Sequence, residues 1–429
     1  MNRPREKAYR EIVFCIAEVL KSGGLVLGVG RKKQWLPPTL VLLLLTPVLA
    51  SSAQSICLGG EVVVLDARTD FVPAQYEDWE PILIQNADDF VRYGFPGDGT
   101  ESNPYIIERL NISTSEETCI WISDVNVSFV IRNCRITSYP SRTPLPAIRL
   151  TDVQNGTLEE NIIIGGYEGI HGSQTRNLRI LENAICEGEY GLRFIASLNI
   201  TAEGNSIYHH ELGVVLTNTS RCLFSANRIY GNTHAGFMAD NTSSYNAFLS
   251  NEVGWNDIRT FSSVNAEDNG NNNTWHDNSW SDYASPGPYN VSGVSNAQDL
   301  LPTLLIDREG PTINSPDNIE MFEGDNINVT WYPRDAFPLE YAIRINADPI
   351  WTRAWIDDEY SVNLGYLEPG DYTLILSVVD GSGNSTNDIV EVSVLYVPLK
   401  DIATELVAYA SALSVALFLV ILCIIKRRP

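Results

Sequence analysis

Two glutamates in the middle of the chain offer the residue type that hydrolyses glycosidic bonds. Glu189 and Glu211 are 22 residues apart and share one phase of a sequence repeat, so we expect them on adjacent turns of the fold. A glycosidase needs two carboxylates at a fixed separation, one as the acid and one as the base or nucleophile. Like charges in a repeat are more often solvated surface positions, so the non-catalytic interpretation of this pair is favoured.

Histidines close to these glutamates are the candidate metal ligands. His209 and His210 are adjacent, and His234 follows about one repeat later. Imidazole nitrogen suits copper, so these three residues are the candidate copper site. Adjacent side chains on a strand point to opposite sides, however, and this favours the alternative that there is no dedicated copper site. The acidic composition makes calcium the other cofactor to consider.

Aromatic residues form a third candidate site, for binding rather than catalysis. Tyr208 and Tyr230 are 22 residues apart, and Trp255 lies near the next repeat. On neighbouring turns such rings would form a strip whose apolar faces can hold sugar rings. The alternative is that these side chains cover the fold and bind nothing.

A repeat of 22 residues positions all of these side chains. Three series share the interval: Asn161-Ile163, Asn183-Ile185, Asn205-Ile207, Asn227-Ile229 and Asn251-Val253; then Gly169-Ile170, Gly191-Leu192, Gly213-Val214 and Gly236-Phe237; then Leu158, Ile180, Ala202, Phe224 and Phe248. Three short segments per repeat predict one coil of a parallel β-helix, with equal phases stacked as ladders. We expect the asparagines to form a hydrogen-bonded ladder at a bend, because asparagine tolerates left-handed geometry.

The two ends of the chain carry targeting signals. Arg31-Lys32-Lys33 precedes the apolar run Leu40–Leu45, and small residues follow as far as Ala53, which is typical of a secretory signal. Residues 406–425 carry no charge and are long enough to span a bilayer. The basic residues 426–428 then predict a single-pass cell-membrane protein, with most of the chain extracellular and a short cytoplasmic C-terminus.

The predicted exterior is strongly acidic. Residues 54–425 contain 18 basic and 50 acidic side chains, a net charge of −32, which excludes unaided binding of nucleic acid. Ten Asn-x-Ser/Thr motifs are candidate glycosylation sites: Asn111, Asn126, Asn155, Asn199, Asn218, Asn241, Asn272, Asn290, Asn328 and Asn384. Cys186 and Cys222 occupy apolar phases of the repeat, so we expect them to be buried packing residues.

The pattern changes after the repeat. Alternating strands with turns at Glu323-Gly324-Asp325 and Asp380-Gly381-Ser382 predict a β-sandwich. The predicted divisions are 1–53, leader with signal peptide; 54–105, N-terminal cap; 106–305, coil; 306–398, sandwich; 406–425, transmembrane helix; and 426–429, cytoplasmic tail. The fold class is therefore all-β, a parallel β-helix followed by a sandwich, with one C-terminal transmembrane helix.

Two segments carry a resemblance to known families. The run from Phe95 to Ile107, the repeats and the closing Trp280-Ser281-Asp282-Tyr283 together resemble the NosD-type β-helix proteins, over roughly residues 85–305. This resemblance implies a right-handed coil, and the family includes copper-binding, carbohydrate-binding and sugar-hydrolase-like members. The segment Val378–Asn384 resembles the Ig-like modules of surface proteins.

The favoured function is a binding surface for carbohydrate or another envelope component, such as an envelope protein. Side-chain ladders on a long coil suit extended ligands. A polysaccharide hydrolase or lyase that uses outward acidic residues is the second hypothesis, and NosD-like copper handling is the third. Fold alone does not choose among them.

Overall fold

The computed structural model describes residues 25–29, 32–36, 76–140, 143–256, 264–284, 286–346 and 348–397. The chain divides into two compact units, Met1–Ala67 and Arg68–Pro429. In the first unit, the strands Leu25–Val29 and Lys32–Leu36 pair antiparallel. The apolar core of the predicted signal and the predicted span at 406–425 lie outside the described residues. Within those residues, no helix has the length and apolar character needed to cross a membrane.

The second unit begins with a parallel β-helix of three faces. Face 1 consists of Glu77–Trp79, Leu110–Thr114, Arg135–Ser138, Ile162–Gly165, the first part of Ala184–Ile195, the first part of Ser206–Thr217, Arg228–Tyr230, Glu252–Gly254, Ser279–Trp280 and Thr303–Leu304. Face 2 consists of Ile82–Ile84, Ile120–Val125, Ile148–Val153, Glu168–Ser173, the later parts of the same two long strands, Ala235–Ala239 and Ala266–Asp268. Coil pairing thus begins at Glu77, within the segment predicted as a cap.

Face 3 completes each coil. Its strands are Tyr105–Glu108, Phe129–Arg132, Gly156–Glu159, Arg176–Leu181, Leu198–Glu203, Leu223–Ser225, Ala247–Leu249, Thr274–His276 and Gln298–Asp299, with Tyr289–Asn290 antiparallel to the last. All three predicted ladders are in register. Ile163 pairs with Ile185 on face 1, Ile148 with Ile170 on face 2, and Leu158 with Ile180 on face 3. The inward members of the ladders are buried as one continuous core.

An internal asparagine ladder lines the bend between faces 3 and 1. Its members are Asn161, Asn183, Asn205, Asn227, Asn251 and Asn278, all buried. Each Nδ2 donates to Oδ1 of the residue one coil further on, at 2.9–3.0 Å. Cys134 occupies the first position, and Asp299 ends the series by accepting from Asn278. The amide ladder predicted from the sequence is therefore confirmed.

Aromatic and apolar side chains close the two ends of the coil. The helix Ala87–Tyr93 begins at the cap Asn86 and places Phe90 against Tyr105, with ring centroids 4.7 Å apart. At the other end, Trp275 stacks on Phe248 at 3.9 Å inside the coil.

The cysteines in the described part of the coil, Cys119, Cys134, Cys186 and Cys222, are free and buried. Burial was predicted for Cys186 and Cys222.

A C-terminal β domain follows the coil. One sheet orders Ile319–Phe322, Ser385–Leu395, Gly370–Asp380, Pro338–Ile345 and Asp348–Ala354, and a second pairs Asn328–Trp331 with Tyr360–Asn363. Both sheets contribute to one core around Trp331 and Leu376. The strand pattern predicted from the sequence is present, and an Ig-like identity for this domain stays a prediction.

The C-terminal β domain packs on face 1. Arg135 forms two hydrogen bonds with the carboxylate of Asp357, at 2.8 and 2.9 Å. Apolar side chains of both partners share one buried cluster, consisting of Cys186, Tyr208, Tyr230, Leu305, Phe337, Leu339 and Ala354. Because this cluster lies on face 1, the contact determines which surface of the coil is covered.

Candidate functional site

The predicted aromatic strip lies beneath the C-terminal β domain. Tyr208 and Tyr230 do stack, with centroids 5.1 Å apart, but their exposed fractions are only 2% and 1%. Each phenol donates to a backbone oxygen of the β domain, Tyr208 to Trp355 at 2.8 Å and Tyr230 to Pro338 at 2.9 Å. Trp255 packs against the same covering residues. This arrangement corrects the interpretation of the strip as an open sugar-stacking surface, because the rings join two parts of the chain.

The candidate copper ligands point apart. His210 faces inward and donates Nε2 to the Ile185 oxygen at 3.1 Å, whereas the half-exposed His209 lies 3.9 Å from Glu340. His234 is exposed at the following turn. Among the described residues, no group of three potential metal ligands includes a histidine. The backbone turns at His209, where φ is 59°, so the two adjacent histidines leave the bend in different directions. The structure therefore does not assemble the candidate copper site.

The two candidate catalytic glutamates lie on adjacent coils at the bend between faces 1 and 2. The flanking pairs Gly188–His210 and Tyr190–Leu212 are in register, which places Glu189 and Glu211 one coil apart. Glu211 is exposed, whereas Glu189 accepts a 2.7 Å hydrogen bond from the Tyr167 hydroxyl. The predicted juxtaposition is therefore present, but one of the two carboxylates already has a partner.

Face 2 presents a different set of side chains, which we call the cationic strip: Trp121, Arg149, His171 and Arg193. Register pairs place them at equivalent positions of four consecutive coils. At about 4.8 Å per coil, the strip is roughly 14 Å long. The Arg149 guanidinium lies 5.3 Å from the Trp121 ring centroid. Cation–π contact of this kind presents a charge and a flat apolar surface side by side.

Glu168 organises the centre of the cationic strip. Its Oε1 accepts from Arg193 Nη1 at 2.9 Å and lies 3.1 Å from His171 Nδ1. Burial alone would raise the pKa of Glu168, but hydrogen bonds and charges from His171 and Arg193 outweigh it and lower the pKa. The carboxylate is therefore ionised at neutral pH, and it holds the side chains of His171 and Arg193 in fixed positions.

Two tyrosines, Tyr167 and Tyr190, lie beside the cationic strip near Arg193. Tyr190 lies under the Arg193 guanidinium at 4.8 Å and meets Tyr167 edge to face at 5.5 Å. The hydrogen bond to Glu189 raises the pKa of Tyr167, and burial raises that of Tyr190. Both phenols are therefore protonated at neutral pH and can donate hydrogen bonds, whereas neither suits the role of a base.

The sequence contained a signal for the strip. Arg149, His171 and Arg193 are spaced by 22 residues, the interval of the coil. The line mixes arginine with histidine, so it does not stand out as a ladder of one residue type. Only the register shows that Trp121, 28 residues before Arg149, belongs to the same line.

The glycosylation candidates are mostly at the surface. Asn126, Asn155, Asn199, Asn218, Asn241, Asn272, Asn290, Asn328 and Asn384 are exposed. Asn111 is half-buried, and its Nδ2 donates to Asp78 at 2.7 Å. Exposure is compatible with modification at nine of the ten motifs, and modification itself stays a prediction.

Comparison with known proteins supports the fold. The family described as "Right handed beta helix region" matches residues 146–298, which indicates that the coil is right-handed. No curated protein sequence shows significant similarity to the chain.

Several solved structures are distantly similar. An alginate lyase from Paenibacillus sp. str. FPU-7 has 12% identity and a TM-score of 0.37, over 47% of this chain and 76% of that one. The A-module of the Azotobacter vinelandii mannuronan C-5 epimerase AlgE4 has 10% identity and a TM-score of 0.22, over 54% and 89%. The enzymatically active domain of tailspike protein 2 of bacteriophage CBA120 has 9% identity and a TM-score of 0.26, over 66% and 64%.

Proposed function

We propose that the chain binds an acidic carbohydrate along the cationic strip of face 2, as a surface protein held in a membrane by residues 406–425. The observation that carries this proposal is the alignment of Arg149, His171 and Arg193 with the exposed Trp121 ring on four consecutive coils. The coil–β-domain contacts given above lie on face 1, so they leave this strip open.

Charge favours an anionic ligand. The predicted exterior has a net charge of −32, yet Arg149 and Arg193 place positive charge on one line, with His171 between them. Glu168 offsets part of that charge, but it is buried beside His171 and Arg193, whereas the Arg193 side chain is 29% exposed. The carboxylates of a uronic acid polymer would meet the guanidinium groups through charge-assisted hydrogen bonds.

Ring stacking favours a sugar over a simple anion. Trp121 is 36% exposed, and Tyr190 contributes a second ring three coils further along. The apolar face of a pyranose packs on such rings, and an adjacent arginine can pair with its carboxylate. A binding role is favoured over cleavage, because Glu168 and Glu189 already accept hydrogen bonds from fixed partners.

Replacing Arg149 and Arg193 together by glutamine is expected to weaken binding to alginate roughly tenfold or more, about 1.4 kcal/mol. Full-length protein is applied to immobilised alginate, and its affinity is measured at rising salt. The wild type should release progressively, since salt screens partly exposed charge contacts. A neutral glucan should retain little protein at any salt concentration.

Arg179→Gln is the matched control for this experiment. Arg179 is exposed on face 3, in the ladder Thr157–Arg179–Thr201, so the variant removes a surface charge without touching the strip. Equal losses in this variant and in the double variant would refute the assignment to face 2. New reducing ends or unsaturated products during incubation would instead favour the catalytic alternative.

A further inference from the structure

Three aspartates converge where the coil meets the C-terminal β domain. Asp307 follows Thr303–Leu304, the last strand of face 1; Asp335 precedes Pro338–Ile345; and Asp380 ends Gly370–Asp380. One carboxylate oxygen from each lies within 4.8 Å of the other two. Three separate segments of the chain thus bring acidic groups to one point, which is distant in sequence from the cationic strip.

Asp380 is buried, Asp307 and Asp335 are half-buried, and the cluster lacks a positive partner. Asp380 has an exposed fraction of 0%, and Asp307 Oδ2 is inaccessible to solvent and has no hydrogen-bond partner. No arginine, lysine or histidine in the described part of the chain forms an ion pair with any of the three. An unpaired buried charge is costly, so an acidic cluster of this kind calls for a cation.

Local hydrogen bonds hold the other oxygens in place. Asp380 Oδ1 accepts from the Asn384 backbone at 2.8 Å and from the Ser382 hydroxyl at 2.9 Å, and Asp335 Oδ1 accepts from the Phe337 backbone at 2.7 Å. These bonds orient the carboxylates without neutralising them. Asp307 Oδ2 is the one oxygen of the cluster that is both buried and without a protein donor.

The three carboxylates repel one another, because one oxygen from each lies within 4.8 Å of the other two. A bound divalent ion would relieve this repulsion.

We propose that Asp307, Asp335 and Asp380 bind a Ca²⁺ ion that locks the C-terminal β domain onto the coil. Calcium takes six to eight oxygen ligands at about 2.3–2.6 Å, so oxygens on one ion lie up to about 5 Å apart, as these do. A set of three carboxylates suits Ca²⁺ better than Mg²⁺, which keeps most of its water and uses one or two carboxylates.

The neighbours of the cluster explain how an ion would act on the interface. Phe337 follows Asp335 by two residues and meets the Tyr230 ring edge to face at 5.4 Å. Gly381 follows Asp380, and a Cβ added there would lie 2.6 Å from Tyr230 Cδ2. Leu305, two residues before Asp307, packs in the buried apolar cluster between the coil and the C-terminal β domain. Fixing the three aspartates therefore fixes the residues that cover face 1.

Calcium titration of the EDTA-treated full-length protein tests the proposal. We expect one saturable site and a rise in Tm on adding CaCl₂. Asp335→Asn and Asp307→Asn should each weaken Ca²⁺ binding roughly 10- to 100-fold, the range found when the support of a metal site is removed. Asp317→Asn, an exposed aspartate of the same domain, should bind Ca²⁺ like the wild type.

The sign of the stability change separates a metal site from a merely structural cluster. Without calcium, Asp335→Asn should raise Tm, because it removes repulsion among the three carboxylates. When calcium is added, the Tm of the wild type should rise more than the Tm of the variant. Unchanged Ca²⁺ affinity in both cluster variants, or no saturable binding in the wild type, would overturn the proposal. Circular dichroism confirms that each variant is folded before it is titrated.

Discussion

Replacing Asn205 by alanine is expected to lower the free energy of unfolding by about 3 to 6 kcal/mol. Asn205 is fully buried, and its Oδ1 accepts from the backbone and the side-chain nitrogens of Asn183, both at 2.9 Å. Its Nδ2 donates to the Ile180 oxygen at 2.8 Å and to Asn227 Oδ1 at 2.9 Å. The substitution therefore leaves several buried polar groups without partners, at about 1–3 kcal/mol each.

Denaturant unfolding of the two proteins measures this loss. Asn271→Ala is the control, because Asn271 is exposed three coils further on and its Nδ2 donates only to the Asn241 oxygen, at 3.2 Å. We expect the control to lose no more than about 0.5 kcal/mol, as is usual for a surface substitution. Similar losses in the two variants would show that the internal ladder contributes little beyond ordinary surface contacts.

Acid is expected to destabilise the protein through His210, by about 2 kcal/mol at pH 5 and about 3 kcal/mol at pH 4. Burial lowers the pKa of His210 from 6.5 to about 4. Between these values the unfolded chain binds a proton that the folded chain does not, so stability falls as the pH decreases. Well above pH 6.5 both states are neutral, and the contribution of this residue to the pH dependence vanishes.

His210→Asn should remove this part of the acid sensitivity. Asn232 and Asn256 occupy the position of His210 on the next two coils. His210 donates to the Ile185 oxygen, as Asn232 does to the Ile207 oxygen and Asn256 to the Ile229 oxygen. Asparagine can therefore replace His210 in this second ladder. Unfolding free energies at pH 7, 5 and 4 are compared for the two proteins. If the variant shows the same pH dependence as the wild type, the effect belongs to other groups.

The coil could be predicted from the sequence because the residues that form its core recur at a fixed interval. Ile163, Ile185 and Ile207 recur at the coil length, and equal phase implies equal position once the turns stack. The same logic predicted that the amides of Asn161 and Asn183 would bond to each other, as they do at 2.9 Å. Periodicity therefore specified both the apolar core and its polar border.

The covering of face 1 could not be predicted in this way. Tyr208 and Tyr230 have the spacing of a surface strip, and nothing within the repeat shows that Trp355 and Pro338, over a hundred residues later, would bind their hydroxyls. Contacts between the coil and the C-terminal β domain follow no period. The aspartate cluster shares this property, since its members belong to three segments that meet only in the folded chain.

The end of the internal ladder shows what limits the number of coils. Each asparagine side chain accepts a hydrogen bond from one coil and donates one to the next. A duplicated repeat of 22 residues within the stack would therefore find the same hydrogen-bond partners. Asp299 is different, because its carboxylate accepts from Asn278 but has no proton to pass to a further coil. The exchange of one NH₂ group for an oxygen therefore acts as a stop. Lineages that gain or lose internal repeats could change the length of the surface while keeping both ends intact.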